Sequence, residues 1–194
     1  MSRIFCIVGP SAVGKDTFYK ELLLRYEGRL TPIVPSTTRP MREGEVNGVD
    51  YHFVTPAQLA ELEAEGRIIE KREYHTVCGL WSYFTMKFDL EEGRDYALIS
   101  TLEGAEKLQA HYGAEQVQVV YLRLDPRLRL LRGIEREAHQ ATPNYAEVCR
   151  RFLADERDFA PEHLERLCNV AYLDTDRTVG ETLSQWDEMY AKMS

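Results

Sequence analysis

The nine residues GPSAVGKDT, Gly9 to Thr17, constrain this chain more than any other stretch. They follow a continuous apolar run, Ile4 to Val8, of the kind that is buried on both faces of a parallel sheet. They precede a run from about Lys15 to Glu27 in which Phe18, Leu22 and Tyr26 recur at helical spacing and Gly28 ends the pattern. Strand, glycine-rich turn and helix in that order predict a phosphate-binding loop. Glycine lets the backbone curl so that several N–H groups point inward. The following helix adds the partial positive charge of its N-terminus. Lys15 is placed to reach the outer phosphates of a nucleotide. The position after that lysine, where a hydroxyl residue is usual, is Asp16, with Thr17 next.

With 194 residues the chain is read as one domain, large enough to bury a substantial core. Net charge is −8, from 24 basic and 32 acidic residues, which argues against a general nucleic-acid binder while leaving room for a local basic cleft. Cys6, Cys78, Cys149 and Cys168 are scattered without a CxxC pair, so neither a zinc site nor a dithiol motif is indicated. The apolar run in MSRIFCIVG is too short for a signal peptide. No stretch approaches the roughly 18 apolar residues of a membrane span, so a reducing cytoplasm is expected.

Beyond the first helix, Ser36, Thr37, Thr38, Arg39 and Arg42 gather hydroxyls and guanidiniums within seven residues, ahead of turn residues Gly44, Asn47 and Gly48. Strands are expected at Tyr51–Val54, Ile68–Tyr74 and Trp81–Met86, with a turn at Cys78-Gly79-Leu80. Thr55-Pro56-Ala57-Gln58 reads as a helix start with a capping box, and that helix stops at Gly66. The region from about 35 to 87 therefore breaks the strand–helix alternation, which resumes with a strand at Asp95–Ser100 and a helix at Glu103–Tyr112. Then come a strand at Val117–Leu124 and a helix capped by Asp125-Pro126. The stretch to about 158 is dense in charge. Thr142-Pro143 is read as the start of a further helix, Val170–Leu173 as a last strand, and Thr178 with Glu181 as the cap of a terminal amphipathic helix.

GPSAVGK together with STTRPMREGEVNGVDYHFV, and more loosely IIEKREY and SYFT, resembles the guanylate kinase family over nearly the whole chain. The resemblance implies an α/β, three-layer P-loop NTPase fold with a parallel core sheet at 1–34, 88–125 and 160–194. An inserted nucleoside-monophosphate-binding region would occupy 35–87 and a helical lid 126–159. It implies ATP-dependent phosphoryl transfer to GMP or dGMP, with Mg2+, by a cytoplasmic monomer or small homo-oligomer that binds small nucleotides, not nucleic acid or membranes. Gly9, Ser11, Ala12, Val13, Gly14, Lys15, Asp16 and Thr17 would hold the ATP phosphates. Arg39, Arg42, Tyr51 and Tyr83 would hold the GMP phosphate, and Ser36, Glu70 and Thr85 would read guanine. Lys15, Arg42, Arg132, Arg136 and Arg151 would serve catalysis, the last three from the lid.

The residue types suit that chemistry. Guanine offers an N–H and an amino group side by side, so one carboxylate can accept from both, while O6 wants a donor. A phosphate dianion suits the planar fork of arginine. The attacking oxygen is already anionic, so positioning, charge neutralisation and exclusion of water carry the reaction.

The chain departs from the family pattern in three places. Asp16 replaces the hydroxyl residue of the loop. Ile99-Ser100-Thr101 stands where guanylate kinases carry aspartates, and Asp174 where asparagine is common. Asp16 either supplies the missing metal carboxylate or simply favours the helix N-terminus. Gly-Lys-Asp without that later aspartate also resembles ribose 1,5-bisphosphate phosphokinase. The non-catalytic guanylate-kinase-like modules of scaffold proteins are a further relative, although those typically degrade the loop that is intact here.

Overall fold

The computed structural model describes residues 2–76 and 79–193; Cys78, in the expected turn, lies outside them. Five strands form an all-parallel sheet in the order β2 (Leu30–Pro32), β7 (Asp95–Ile99), β1 (Ile4–Val8), β8 (Val117–Arg123) and β9 (Val170–Asp174). β1 lies at the centre and every one of its residues is buried, as its unbroken apolar run requires.

Alternation along β1 divides the core in two. Phe5 and Ile7 face the side of α1 (Lys15–Arg25) and α7 (Val179–Ala191), packing with Phe18, Leu22, Leu183 and Trp186. Ile4, Cys6 and Val8 face α3 (Leu102–Tyr112), packing with Leu102, Ala105 and Leu108. The result is the three-layer α/β arrangement expected. Trp186 is fully buried with its ring centroid 4.8 Å from that of Phe5.

Between β2 and β7 in the chain a second sheet forms, in the order β4 (His52–Phe53), β3 (Ser36–Thr37), β6 (Gly79–Met86) and β5 (Ile68–Thr76). It carries α2 (Pro56–Ala64), whose N-terminus has the full reciprocal capping box of Thr55 and Gln58. α7 has the same device in Thr178 and Glu181. α4 (Pro126–Ala138) is capped by Asp125 as expected.

α5 (Tyr145–Asp158) corrects the sequence reading. Its cap is Asn144, whose side chain accepts from the Glu147 N–H, two residues beyond Thr142. Thr-Pro was the more conspicuous signal, but Asn is an equally good cap, and its position decides where the ladder begins. The short helix α6 (Pro161–Leu164) was not anticipated; four residues are too few for periodicity to register.

All strands of the first sheet run the same way, so their C-terminal ends share one edge. From that edge emerge the loop after β1, Ser100-Thr101 after β7, Asp125 after β8 and Thr175 after β9. A ligand crevice forms at such an edge in doubly wound sheets.

Candidate active site

The loop after β1 turns tightly through left-handed backbone conformations. Gly14 is the N-cap of α1 with φ +100°, a value that only glycine takes without cost, and Ala12 holds φ +63°. Lys15 is folded back, its Nζ donating to the carbonyls of Gly9 at 2.6 Å and Pro10 at 2.9 Å. Burial lowers its pKa; the nearby Asp16 and Asp155 oppose that shift, and Arg129 and Arg136 add to it with smaller effects. A cation held out of water is a site that favours an anion beside it.

The loop faces a cavity of about 180 Å³ whose other walls are α4 and α5. Arg129, Gly133 and Arg136 line it from α4, and Val148, Arg151 and Asp155 from α5, in both cases at the three- and four-residue spacing of one helix face. Of the three arginines singled out from the sequence, Arg136 and Arg151 reach this cavity. Arg132 points elsewhere, donating to the Thr175 carbonyl at 2.9 Å beside the end of β9. Arg151 is held at its mouth by Glu147 at 2.8 Å, and Arg150 binds the same carboxylate. Together the two arginines hold the Glu147 carboxyl down at about 2, Arg150 having the larger effect.

Sequence reading passed over Arg129 and Asp155. Arg129 is 2% exposed, stacked on the Phe152 ring at 4.5 Å and paired with Asp155 and Glu156. Its spacing to Gly133 and Arg136 was a usable signal. A helix face made of arginine and glycine resembles solvated surface, however, until its partner helix is known.

The second sheet brings together the other set. Thr37 pairs with Tyr83 across β3 and β6, and Arg72 with Tyr83 and Glu70 with Thr85 across β5 and β6. Pairing partners share a face of the pleat, so Thr37, Glu70, Arg72, Tyr83 and Thr85 all lie on one side. Glu70, 2% exposed, accepts from the Thr85 hydroxyl at 2.8 Å and from Arg72 Nε at 3.3 Å. Gly104 packs close by: a Cβ there would stand 2.2 Å from Ser100 Oγ and 3.6 Å from Glu70 Cδ.

Further along the same face, Tyr83 packs edge-on to Tyr51 at 5.8 Å, and the Arg39 guanidinium lies over the Tyr51 ring at 5.0 Å. Both Arg39 terminal nitrogens bind Glu45, at 2.7 Å and 2.5 Å, and the Arg42 backbone N–H donates to the same carboxylate at 2.7 Å. Arg39, and after it that backbone N–H, hold the Glu45 carboxyl down at about 2. Arg42 itself is exposed.

Ser36 is placed differently from Thr85. It pairs with Phe84, hence on the opposite face of the pleat, fully buried and with no hydrogen-bond partner for its hydroxyl among the described residues. Thr101, where the family pattern has an aspartate, caps α3 by accepting from the Gly104 N–H. Asp174, the third departure, is paired with Arg123.

For a metal the donor set is lean. Asp16 is exposed in the first turn of α1, and among the described residues no group of three or more His, Cys, Asp or Glu side chains converges. One carboxylate beside a phosphate loop still fits magnesium, which keeps several waters and takes much of its coordination from the substrate's phosphates.

Comparisons with known proteins agree with the geometry. Residues 1–79 match the family model described as guanylate kinase. The guanylate kinase of Methylobacillus flagellatus is 32% identical over 156 residues, covering 80% of this chain and 74% of that protein. The chain belongs to the guanylate kinase family. The guanylate kinase of Syntrophotalea carbinolica is 34% identical over 106 residues, a match that spans half the length of that protein and 55% of this chain. The crystal structure of guanylate kinase from Anaplasma phagocytophilum superimposes with a TM-score of 0.64 over 99% of this chain and 86% of that one at 17% identity, which establishes the shared fold.

Proposed function

We propose that this protein transfers the terminal phosphoryl group of ATP to the phosphate of GMP or dGMP, giving ADP and the diphosphate. The observation that carries the reading is the single face of the second sheet, where Arg39, Tyr51 and Tyr83 adjoin Glu70 and Thr85. On this reading, residues suited to phosphate and residues suited to guanine stand along that one face. An ionised carboxylate offers about four lone-pair sites, of which Thr85 and Arg72 use two on Glu70. The rest suffice for the N1–H and amino group of guanine. Adenine, which presents an acceptor at N1, would leave them unpaired and be rejected.

Arg39 is held flat on Tyr51 by Glu45, so its orientation is set before the substrate arrives. Arg42, close by and exposed, is free to complete the phosphate clamp. At the other end Lys15 exchanges the Gly9 and Pro10 carbonyls for ATP phosphate oxygens, and Arg136 and Arg151 face the same cavity from the lid. These cations neutralise charge that spreads over the transferring group, and closure of α4 and α5 excludes water. Mg2+ held beside Asp16 and Thr17 would add neutralisation of the phosphates. The reaction belongs in the cytoplasm, and among the described residues no helix is long and apolar enough to cross a membrane.

The test is an ADP-release assay offering GMP, dGMP, AMP, UMP and ribose 1,5-bisphosphate in parallel. Turnover with the guanine nucleotides is expected. Turnover with ribose 1,5-bisphosphate alone would replace this reading with that of a sugar-phosphate kinase, and the absence of a carboxylate at the end of β7 would then be its explanation.

A further inference from the structure

The phosphate loop is already in contact with an anion, and the chain itself supplies it. The Ser11 N–H donates to Asp155 Oδ2 at 2.9 Å, across 144 residues of sequence. The same carboxylate oxygen lies 3.5 Å from Arg129 Nη1, on a guanidinium that is itself almost wholly buried. Asp155 also acts electrostatically on Lys15. A loop backbone N–H, a buried guanidinium and the loop ammonium are the three kinds of donor that a nucleotide phosphate seeks at such a site. The first two meet at one side-chain carboxylate on α5, and the third feels its charge without touching it.

Folding does not demand this arrangement. Arg129 has a second carboxylate partner in Glu156, and it stacks on Phe152, so its own burial is compensated without Asp155. The Ser11 N–H belongs to the loop that the proposed function assigns to the ATP phosphates. Asp155 is thus the one acidic group among the described residues that both touches this loop's backbone and lines the cavity between the loop, α4 and α5 in contact with Arg129.

We propose that Asp155 is a built-in phosphate surrogate: it closes the loop in the unliganded protein, and the phosphates of ATP displace it on binding. The inference rests on ATP occupying this loop and is independent of the acceptor. Displacement removes an anion from the site as another enters, leaves the Arg129 charge for the nucleotide, and releases α5 from the loop so that the lid can reseat. It also sets a threshold. A ligand binds with an affinity reduced by the fraction of molecules in which the loop is free, so a single weak anion competes poorly while a triphosphate, with several contacts, succeeds.

The experiment is calorimetric titration of ATP with Mg2+, without acceptor, into wild type, Asp155→Asn and Asp155→Ala. Both variants are expected to bind ATP more tightly, on the order of tenfold for loss of one charge-assisted competitor. Their affinity for GMP should be unchanged. ATP affinity equal to or weaker than wild type in both folded variants would overturn the proposal. Should the variants fail to fold, the wild-type protein decides: saturating ATP must shift the Asp155 carboxyl carbon and the Ser11 amide resonances together, and an unmoved Asp155 signal would overturn it equally. If wild type and variants all fail to bind ATP, the nucleotide reading of the loop falls with it. If ATP binds as described but GMP is not phosphorylated, only the acceptor assignment fails.

Discussion

Arg72 and Glu70 lie two residues apart on β5, one a cation one-quarter exposed and the other a carboxylate 2% exposed. A carboxylate taken out of water is tolerated when a cation and hydrogen bonds compensate it. Arg72 and Thr85 do this for Glu70. Replacing Arg72 by Met should therefore raise KM for GMP by about tenfold or more while KM for ATP stays near wild type, the loss of one charge-assisted hydrogen bond setting the scale. Steady-state kinetics with each substrate varied in turn will show it. Lys15→Met acts on the other substrate. It removes the cation of the loop, and kcat should fall by about 100-fold or more, in the range seen when one stabilising donor is lost from a transition state.

Glu45 allows a prediction with pH. Its folded pKa is depressed to about 2, so the Arg39–Glu45 pair contributes fully above the ordinary glutamate value of about 4.3 and is lost as pH falls from there towards about 2. The melting-temperature gap between wild type and Glu45→Gln should be constant above pH 5 and narrow as pH is lowered through that window. A gap that widened in acid would contradict the sign.

Much of this was legible residue by residue, and the exceptions share a cause. Glu70, Thr85, Tyr51 and Arg39 were singled out by the family motifs they stand in, and the fold sets Thr85 against Glu70 and Arg39 over Tyr51. Arg129 and Asp155 take part through partners 27 and 144 positions away in sequence, whereas Arg72 meets Glu70 only two positions away on the same strand. No local pattern separates them from the other arginines and acids of a chain in which charged residues are 29%.

At the scale of elements, the helix caps show which local signals survive in the fold. Thr55 with Gln58 and Thr178 with Glu181 form complete capping boxes, so Thr178→Ala should destabilise by about 1 kcal/mol. That corresponds to a fall in melting temperature of about 2–4 °C for a chain of this size. Thr142 failed as a cap signal because Asn144 outcompeted it. Strand pairings were less legible than caps: nothing local says that Leu30–Pro32 joins the first sheet and Ser36–Thr37 the second. Long-range register makes that decision, and it is what brings Tyr83 and Arg72 face to face. The approach of α4 to α5 is an element-scale feature too. A Cβ at Gly133 would lie 3.1 Å from Val148 Cγ1, so Gly133→Leu should hold the two helices apart and impair ATP-dependent turnover more than stability.

The whole molecule divides its labour between two sheets. The parallel sheet, buried on both sides, gathers its loops at one edge and supplies the phosphate loop. The smaller sheet gathers the residues proposed to hold the acceptor on one face, and α4 and α5 wall the cavity beside the loop after β1. The core that fixes these parts is centred on β1, where burial pushes the Cys6 thiol up to about 12, with the Ser100 hydroxyl opposing and Glu70 reinforcing that shift. Cys6 should therefore escape alkylation in the native protein at pH 8 and react only after unfolding, whereas the exposed Cys149 and Cys168 react at once. Peptide mapping after labelling distinguishes them.

The central claim is that the two sheets present ATP and GMP to each other for direct phosphoryl transfer. Phosphorus NMR of a mixture of protein, ATP, GMP and Mg2+ tests this most directly. The account predicts that the GMP phosphomonoester resonance disappears in step with the γ-phosphate of ATP while two diphosphates, ADP and GDP, accumulate. A GMP resonance that persists unchanged, with ATP intact or hydrolysed to inorganic phosphate, would contradict it.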